Sequence, residues 1–196
     1  MTTTSVRLTH AIQIEDRFKF HVQTLPDWEA IEFGQVLLND KCREVLRKSI
    51  IPINSEIANE LIQLLPPFWR HIYKRGVGRG IPSLCRWDPD FIVSKNKDPR
   101  FFAEIKSSMT KTGNIAIEIS CILAAIVNQR RLGLEQFFIF APSEQVSFWS
   151  YLTLEQMLLL PSKAFDGRYA NGSGTPYVLL SKDHLTQDFE TLTYQS

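Results

Sequence analysis

The chain has 196 residues, a hydrophobic fraction of 44% and 22 Lys and Arg against 21 Asp and Glu, for a formal net charge of +1. That length suits one domain around one sizeable core. The balanced charge excludes a generally basic coat for polyanions, and no apolar run is long enough to cross a bilayer.

In chain order, Phe18-Lys19-Phe20-His21-Val22-Gln23 alternates apolar and polar residues and predicts a strand, broken at Leu25-Pro26-Asp27. Residues 40–48 and 54–65 predict two helices separated by Pro52, the second capped by Asn54 or Ser55 and stopped by Pro66-Pro67. Glu56 and Glu60 share one face of it at i, i+4 spacing, where a solvent-facing glutamate is the ordinary reading. Between Phe68 and Trp87 come Arg70, His71, Lys74, Arg75, Arg79 and Arg86 with no acid among them, interleaved with Trp69, Tyr73, Gly76, Gly78 and Gly80. Such a stretch lets backbone approach a phosphate chain closely, with arginines reaching phosphates or guanine edges. A solvated basic loop would carry the same letters.

Trp87-Asp88-Pro89-Asp90-Phe91-Ile92-Val93 and the run from Phe101 to Ser108 predict two strands, joined by the turn-forming Ser94-Lys95-Asn96-Lys97-Asp98-Pro99 as an antiparallel hairpin. Alternation puts Phe102, Glu104 and Lys106 on one face and Phe101, Ala103 and Ile105 on the other, and the hairpin folds Asp90 back toward Glu104. Two carboxylates and a lysine suit phosphodiester hydrolysis. Carboxylates are hard oxygen ligands for Mg²⁺, which polarises a phosphoryl oxygen and acidifies a bound water, while the ammonium orients that water or offsets developing negative charge. A surface hairpin with Glu104 and Lys106 as a solvated ion pair would read the same. The apolar residues around them argue instead for a strand covered on at least one face.

Gly113-Asn114 precedes a nearly apolar segment, residues 115–127, that predicts a buried helix ending at Arg130-Arg131-Leu132-Gly133. Its one acid, Glu118, has two readings: an outer metal-site group near Lys106, or an acid offsetting the helix dipole. Phe137-Phe138-Ile139-Phe140-Ala141 predicts a buried central strand, parallel to a neighbour through the helical crossover. Residues 152–160 predict a helix, 166–176 a Gly- and Asn-rich loop without a P-loop ending, and Tyr177-Val178-Leu179-Leu180 an edge strand before a short closing helix. Phe148, Trp149 and Tyr151 are assigned to the core, with a subunit interface as the alternative.

Pro89-Asp90, thirteen residues, then Glu104-Ile105-Lys106 resembles the PD-(D/E)xK signature of a nuclease superfamily that includes restriction enzymes, homing endonucleases, Holliday-junction resolvases and repair nucleases. The resemblance covers roughly residues 54–141. It implies an α/β, restriction-endonuclease-like αβββαβ core with a central mixed sheet flanked by helices, and residues 1–53 and 142–196 as extensions of a single domain. It implies Mg²⁺, with Mn²⁺ able to substitute, held by Asp90 and Glu104, and Lys106 assisting the hydrolytic water. Many members carry an acid on the helix before the sheet, and Glu60 is assigned that role here, with Glu118 as a further supporting acid.

Arg70, Lys74, Arg75, Arg79, Arg86 and Lys111 are the nucleic-acid-binding candidates. The implied activity is a site-specific endonuclease of restriction or homing type on double-stranded DNA, acting as a homodimer or homotetramer. A structure-specific resolvase or repair nuclease, or a binding module that keeps the fold without cutting, are the alternatives. Cys42, Cys85 and Cys121 lie far apart without a CxxC pair, which argues against a disulfide framework, a zinc site or the iron–sulfur branch of the superfamily. His10, His21, His71 and His184 show no metal-ligand spacing. The opening Met1-Thr2-Thr3-Thr4-Ser5 lacks the basic and apolar regions of a secretory signal, so a cytoplasmic location is expected.

Overall fold

The computed structural model describes residues 3–33, 60, 63–67, 69–70, 89–106, 114–144, 146–160, 163–165 and 176–195. The first element corrects the sequence reading: residues 18–23 are the end of a long helix, α1 (Thr3–Gln23). A strand would put Phe18, Phe20 and Val22 on one face, yet Phe18 and Val22 are fully buried while Phe20 is 70% exposed. The decisive spacing is Ile14, Phe18 and Val22, four residues apart along one helical face. The helix stops at Thr24, whose hydroxyl donates to the His21 carbonyl at 2.7 Å, and Asp27 turns the chain with φ of 68°.

The strand β1 (Trp28–Glu32) follows, then β2 (Phe91–Lys95) and β3 (Asp98–Lys106), both antiparallel to their neighbour. The predicted hairpin forms with Lys95 opposite Asp98, and the two residues between them, Asn96 and Lys97, both take left-handed φ, 52° and 64°. That is the mirror-image turn whose twist matches paired strands. Ser94 faces Pro99 and Val93 faces Phe101, so Arg100 is an extra residue, a bulge that places proline where no ladder N–H is required.

Residues 115–118, read from sequence as the start of a helix, belong to a strand, β4 (Asn114–Glu118). Ile115 and Ile117 are buried and Ala116 exposed, a period of two that a longer apolar run concealed. The helix α2 (Ile119–Leu132) begins one residue later and ends at Gly133, whose left-handed φ of 68° lets its N–H reach the Gln129 carbonyl. It crosses to β5 (Glu135–Phe140), which runs parallel to β3 as predicted, with Phe138 opposite Glu104 and Phe140 opposite Lys106.

Next come β6 (Ser150–Thr153) and α3 (Leu154–Leu159), so the predicted helix starts two residues late, where Thr153 and Gln156 form a capping box. The remaining elements are β7 (Lys163–Phe165), β8 (Tyr177–Ser181) and α4 (Phe189–Gln195). Strand β8 is not an edge: it lies between β4 and β7 in a second, three-stranded sheet.

The main sheet has the order β1-β2-β3-β5-β6, mixed in direction, with β3 at its centre. The order α1, β1, β2, β3, α2, β5 is the αβββαβ order that the sequence resemblance implied, a central mixed sheet flanked by helices, with β4 diverted into the small sheet. Its first helix and strand thus come from residues 1–53, assigned from sequence to an extension, and residues 33–90 are inserted between β1 and β2. The sequence-assigned helices at 40–48 and most of 54–65, and the loop at 166–176, fall outside the described residues.

Phe101, Ala103 and Ile105 pack under α1 and α4 on one face of the sheet, where Phe18 makes ring contacts at 5.3–5.7 Å with Phe91, Trp149 and Phe189. Trp149 is buried there, as predicted. On the other face, Phe138, Phe140 and Leu152 pack with α2, β4 and β8. Glu104 and Lys106 point to this second side. Among the described residues no helix is long and apolar enough to cross a membrane.

Candidate active site

The site lies where β2 begins and β3 ends. Strand pairing starts with Phe91 opposite Ala103, so Ile105 extends past the start of β2. The Asp90 side chain takes over as acceptor there: the Ile105 N–H donates to Asp90 Oδ2 at 2.6 Å. Asp90 is thereby clamped to the strand that carries Glu104 and Lys106, as the hairpin reading anticipated. The alternating face holds too, since Glu104 and Lys106 stand side by side with Lys106 Nζ donating to Glu104 Oε1 at 2.6 Å. Glu104 is buried, which removes the reading of this pair as a solvated surface bridge.

Burial and the neighbouring Glu104 charge raise the Asp90 carboxyl from its ordinary 3.8 to about 8, Glu15 adding to the rise while the Ile105 N–H and Lys106 oppose it. Burial works against the Lys106 ammonium, but the negative partners around it outweigh burial and leave its pKa above the ordinary lysine value. Burial also raises the Cys121 thiol, helped by the Glu104 charge. That thiol is therefore protonated at neutral pH and available as a donor.

Two groups here were missed by sequence reasoning. Glu15 on α1 is raised by burial and then by the charges of Glu104, Asp16 and Glu32, with Lys106 pulling the other way. It follows Ile14 on the helix and contributes an acid at the Asp90 end of the sheet. The signal was the Ile14, Phe18, Val22 stripe, lost when residues 18–23 were read as a strand. Cys121, on the first turn of α2, donates its thiol to Glu104 Oε1 at 3.3 Å. Its signal was only a position three residues beyond Glu118 on an apolar helix.

Glu118 is brought to the site. Burial raises it, Lys106 opposes the rise, Glu104 adds to it, and a hydrogen bond with the Ser120 side chain lowers it again. It occupies the N-cap of α2 without a side-chain capping bond, so capping is not its role. Glu60 is exposed, and among the described residues no contact joins it to this group. Glu15 on α1 is a helix acid whose charge acts on Asp90. Arg70 donates to the Gln63 side chain and to the carbonyls of Gln63 and Leu65, so its guanidinium ties a local turn. Lys74, Arg75, Arg79, Arg86 and Lys111 lie outside the described residues.

Among the described residues, no three His, Cys, Asp or Glu side chains form a ready-made cage for a metal ion. What the site holds is more carboxyl groups than one lysine could balance were all of them ionised, and the raised Asp90 keeps its proton for that reason. Two carboxylates without a closed cage fit a hard divalent cation that keeps waters and takes further oxygens from a phosphate substrate.

No protein-family model matches the chain, and no curated protein matches it. Among solved structures it is similar to a Holliday junction resolvase from the archaeal hyperthermophile Archaeoglobus fulgidus, at 11% identity over 71% of this chain and 98% of that one, with a TM-score of 0.35.

Proposed function

We propose that the chain is a Mg²⁺-dependent deoxyribonuclease in which Asp90 and Glu104 hold the cation and Lys106 faces the scissile phosphate. The observation that carries this reading is the convergence of the two acids and the lysine at the end of β3, with Asp90 fixed by Ile105 and Glu104 by Lys106. When bound, the cation would acidify a water and polarise the phosphoryl oxygen.

The protein's own contributions are separable. Asp90 and Glu104 present oxygens from adjacent strands, and their mutual repulsion favours the arrival of positive charge. Lys106, held cationic by Glu104, can turn to the water or to a phosphate oxygen and stabilise charge as it develops. Glu15 and Glu118 are electrostatically coupled to Glu104 and Lys106. The basic stretch around Arg75 and Arg79 is assigned to the nucleic-acid backbone. A single site cuts one strand, so cleavage of a duplex through both strands calls for two copies of the chain.

Incubation with plasmid, four-way-junction DNA and RNA in Mg²⁺ or Mn²⁺, followed by sequencing of the ends, tests the assignment. Discrete ends in linear duplex support a site-specific enzyme of restriction or homing type; cleavage confined to the junction supports a resolvase. Binding of DNA without cleavage by the wild-type protein in either metal overturns the catalytic reading in favour of a binding module.

A further inference from the structure

Glu104 has an unusual arrangement of donors. Its Oε1 accepts from two groups at once, the Lys106 ammonium at 2.6 Å and the Cys121 thiol at 3.3 Å. The two donors come from different elements, β3 and α2, and differ in what else they can do. Lys106 is a long, charged side chain whose proposed task lies with water or phosphate. Cys121 is 3% exposed on a helix packed against the sheet, too short and too enclosed to reach a substrate.

A carboxylate that loses its only donor in a buried site is free to rotate, and a buried acceptor left without a partner is costly. If Lys106 were the sole support, turning it toward the substrate would release Glu104 at the moment its aim matters. The thiol removes that conflict.

We propose that Cys121 is a positioning residue for Glu104: its S–H holds Oε1 from the α2 side, so the carboxylate keeps its orientation toward the cation when Lys106 disengages. The inference rests on the reading of Glu104 as a cation ligand, but not on cleavage. A thiol suits the position because it is a weak donor. It steadies the oxygen without drawing off the charge that a cation needs, and its bulk fills an apolar helix interface.

The test is calorimetric titration of Mn²⁺ into the DNA-free protein, which reads cation affinity whether or not the protein cuts. Cys121→Ala and Cys121→Val remove the donor, Val keeping close to the original volume, and Cys121→Ser restores one. Both donor-less variants should bind Mn²⁺ about fivefold more weakly, the size of one modest hydrogen bond, and Ser should recover most of that loss. In a Lys106→Met background, where the thiol is the remaining donor to Oε1 among the described residues, the same Cys121→Val change should cost more than it does alone.

Thermal melts of each variant separate folding from positioning. Equal Mn²⁺ affinity in wild type, Val and Ser proteins overturns the proposal and leaves Cys121 as packing. A loss common to Val, Ala and Ser that tracks melting temperature overturns it as well. If no variant and no wild type binds Mn²⁺ at all, the cation reading of Glu104 falls first and this inference with it. Cation binding without cleavage leaves the comparison intact.

Discussion

Asp90 and Ile105 are joined by a 2.6 Å hydrogen bond from the Ile105 N–H to Asp90 Oδ2, a side chain taking the place of a strand at the end of a ladder. The bond fixes an acid next to a second acid at a partly enclosed position, and the cost of that placement appears in protonation. In the metal-free fold Asp90 keeps its proton up to about pH 8, whereas unfolded it titrates near 3.8. Between those values the folded state binds more protons than the unfolded state, so this group's contribution to stability falls as pH rises. Metal-free protein should therefore lose melting temperature from about pH 4 to about pH 8, and Asp90→Asn should flatten the loss. Saturating Mg²⁺ should flatten it too, by replacing the proton with a cation. His21, whose pKa burial lowers, acts in the opposite sense below its ordinary 6.5, and Asp90→Asn leaves that part of the curve unchanged.

The Glu104 and Lys106 variants separate binding from chemistry. Glu104→Gln should abolish Mn²⁺ binding and cleavage while metal-free DNA binding stays equal or tightens, because a charge facing the phosphate is gone. Lys106→Met should keep Mn²⁺ binding yet lower cleavage about a thousandfold, the scale of losing one preorganised electrostatic contact. It also strands a largely buried carboxylate and should destabilise the fold by roughly 2–3 kcal/mol, less than for a fully enclosed pair. The double variant should regain much of that stability. Wild-type cutting rates in either single variant would remove the hairpin from the active site.

How much could be read from the letters depended on the range over which each signal acts. Asp90, Glu104 and Lys106 were legible because one hairpin brings them together, and a two-residue turn at Asn96-Lys97 with alternating side chains sets their faces. The parallel crossover to β5 was legible from an apolar helix followed by an apolar strand. Residues 18–23 were not: over six positions Phe18, Phe20 and Val22 satisfy a period of two, and only Ile14 shows the period of four. Ile115 and Ile117 were hidden in the reverse way, a short strand running without a break into an apolar helix. Glu15 and Cys121 reach the site from elements on opposite faces of the sheet, a relation that no local pattern encodes.

The helix reading of α1 has a simple thermodynamic signature. Phe18→Ala should cost about 3–5 kcal/mol in urea unfolding, since the ring is fully buried among three aromatic partners. Phe20→Ser, on the solvent side, should change stability by no more than about 0.5 kcal/mol. Comparable losses at the two positions would restore the strand.

For the basic stretch, Arg75→Ala and Arg79→Ala should weaken DNA binding and each lower the slope of log affinity against log salt by about one. An unchanged slope with relaxed preference at one base would point to base-edge contact instead. Unchanged affinity and slope together would mark the stretch as solvated.

The two candidate helix acids can be set against each other. Glu15 feels the charges of Glu104 and Lys106 and in turn raises Asp90, so it belongs to the electrostatic field that a cation would enter. Glu60 is exposed. Glu15→Gln should therefore weaken Mn²⁺ binding by about tenfold, the lower range for a group that supports the ligands rather than replacing one. It should also reduce the fall in metal-free melting temperature toward alkaline pH, because one repelling neighbour of Asp90 is removed. Glu60→Gln should leave both measurements at wild-type values. If the Glu60 variant binds Mn²⁺ more weakly and the Glu15 variant does not, then the acid is supplied by the segment inserted between β1 and β2, and α1 serves the core alone.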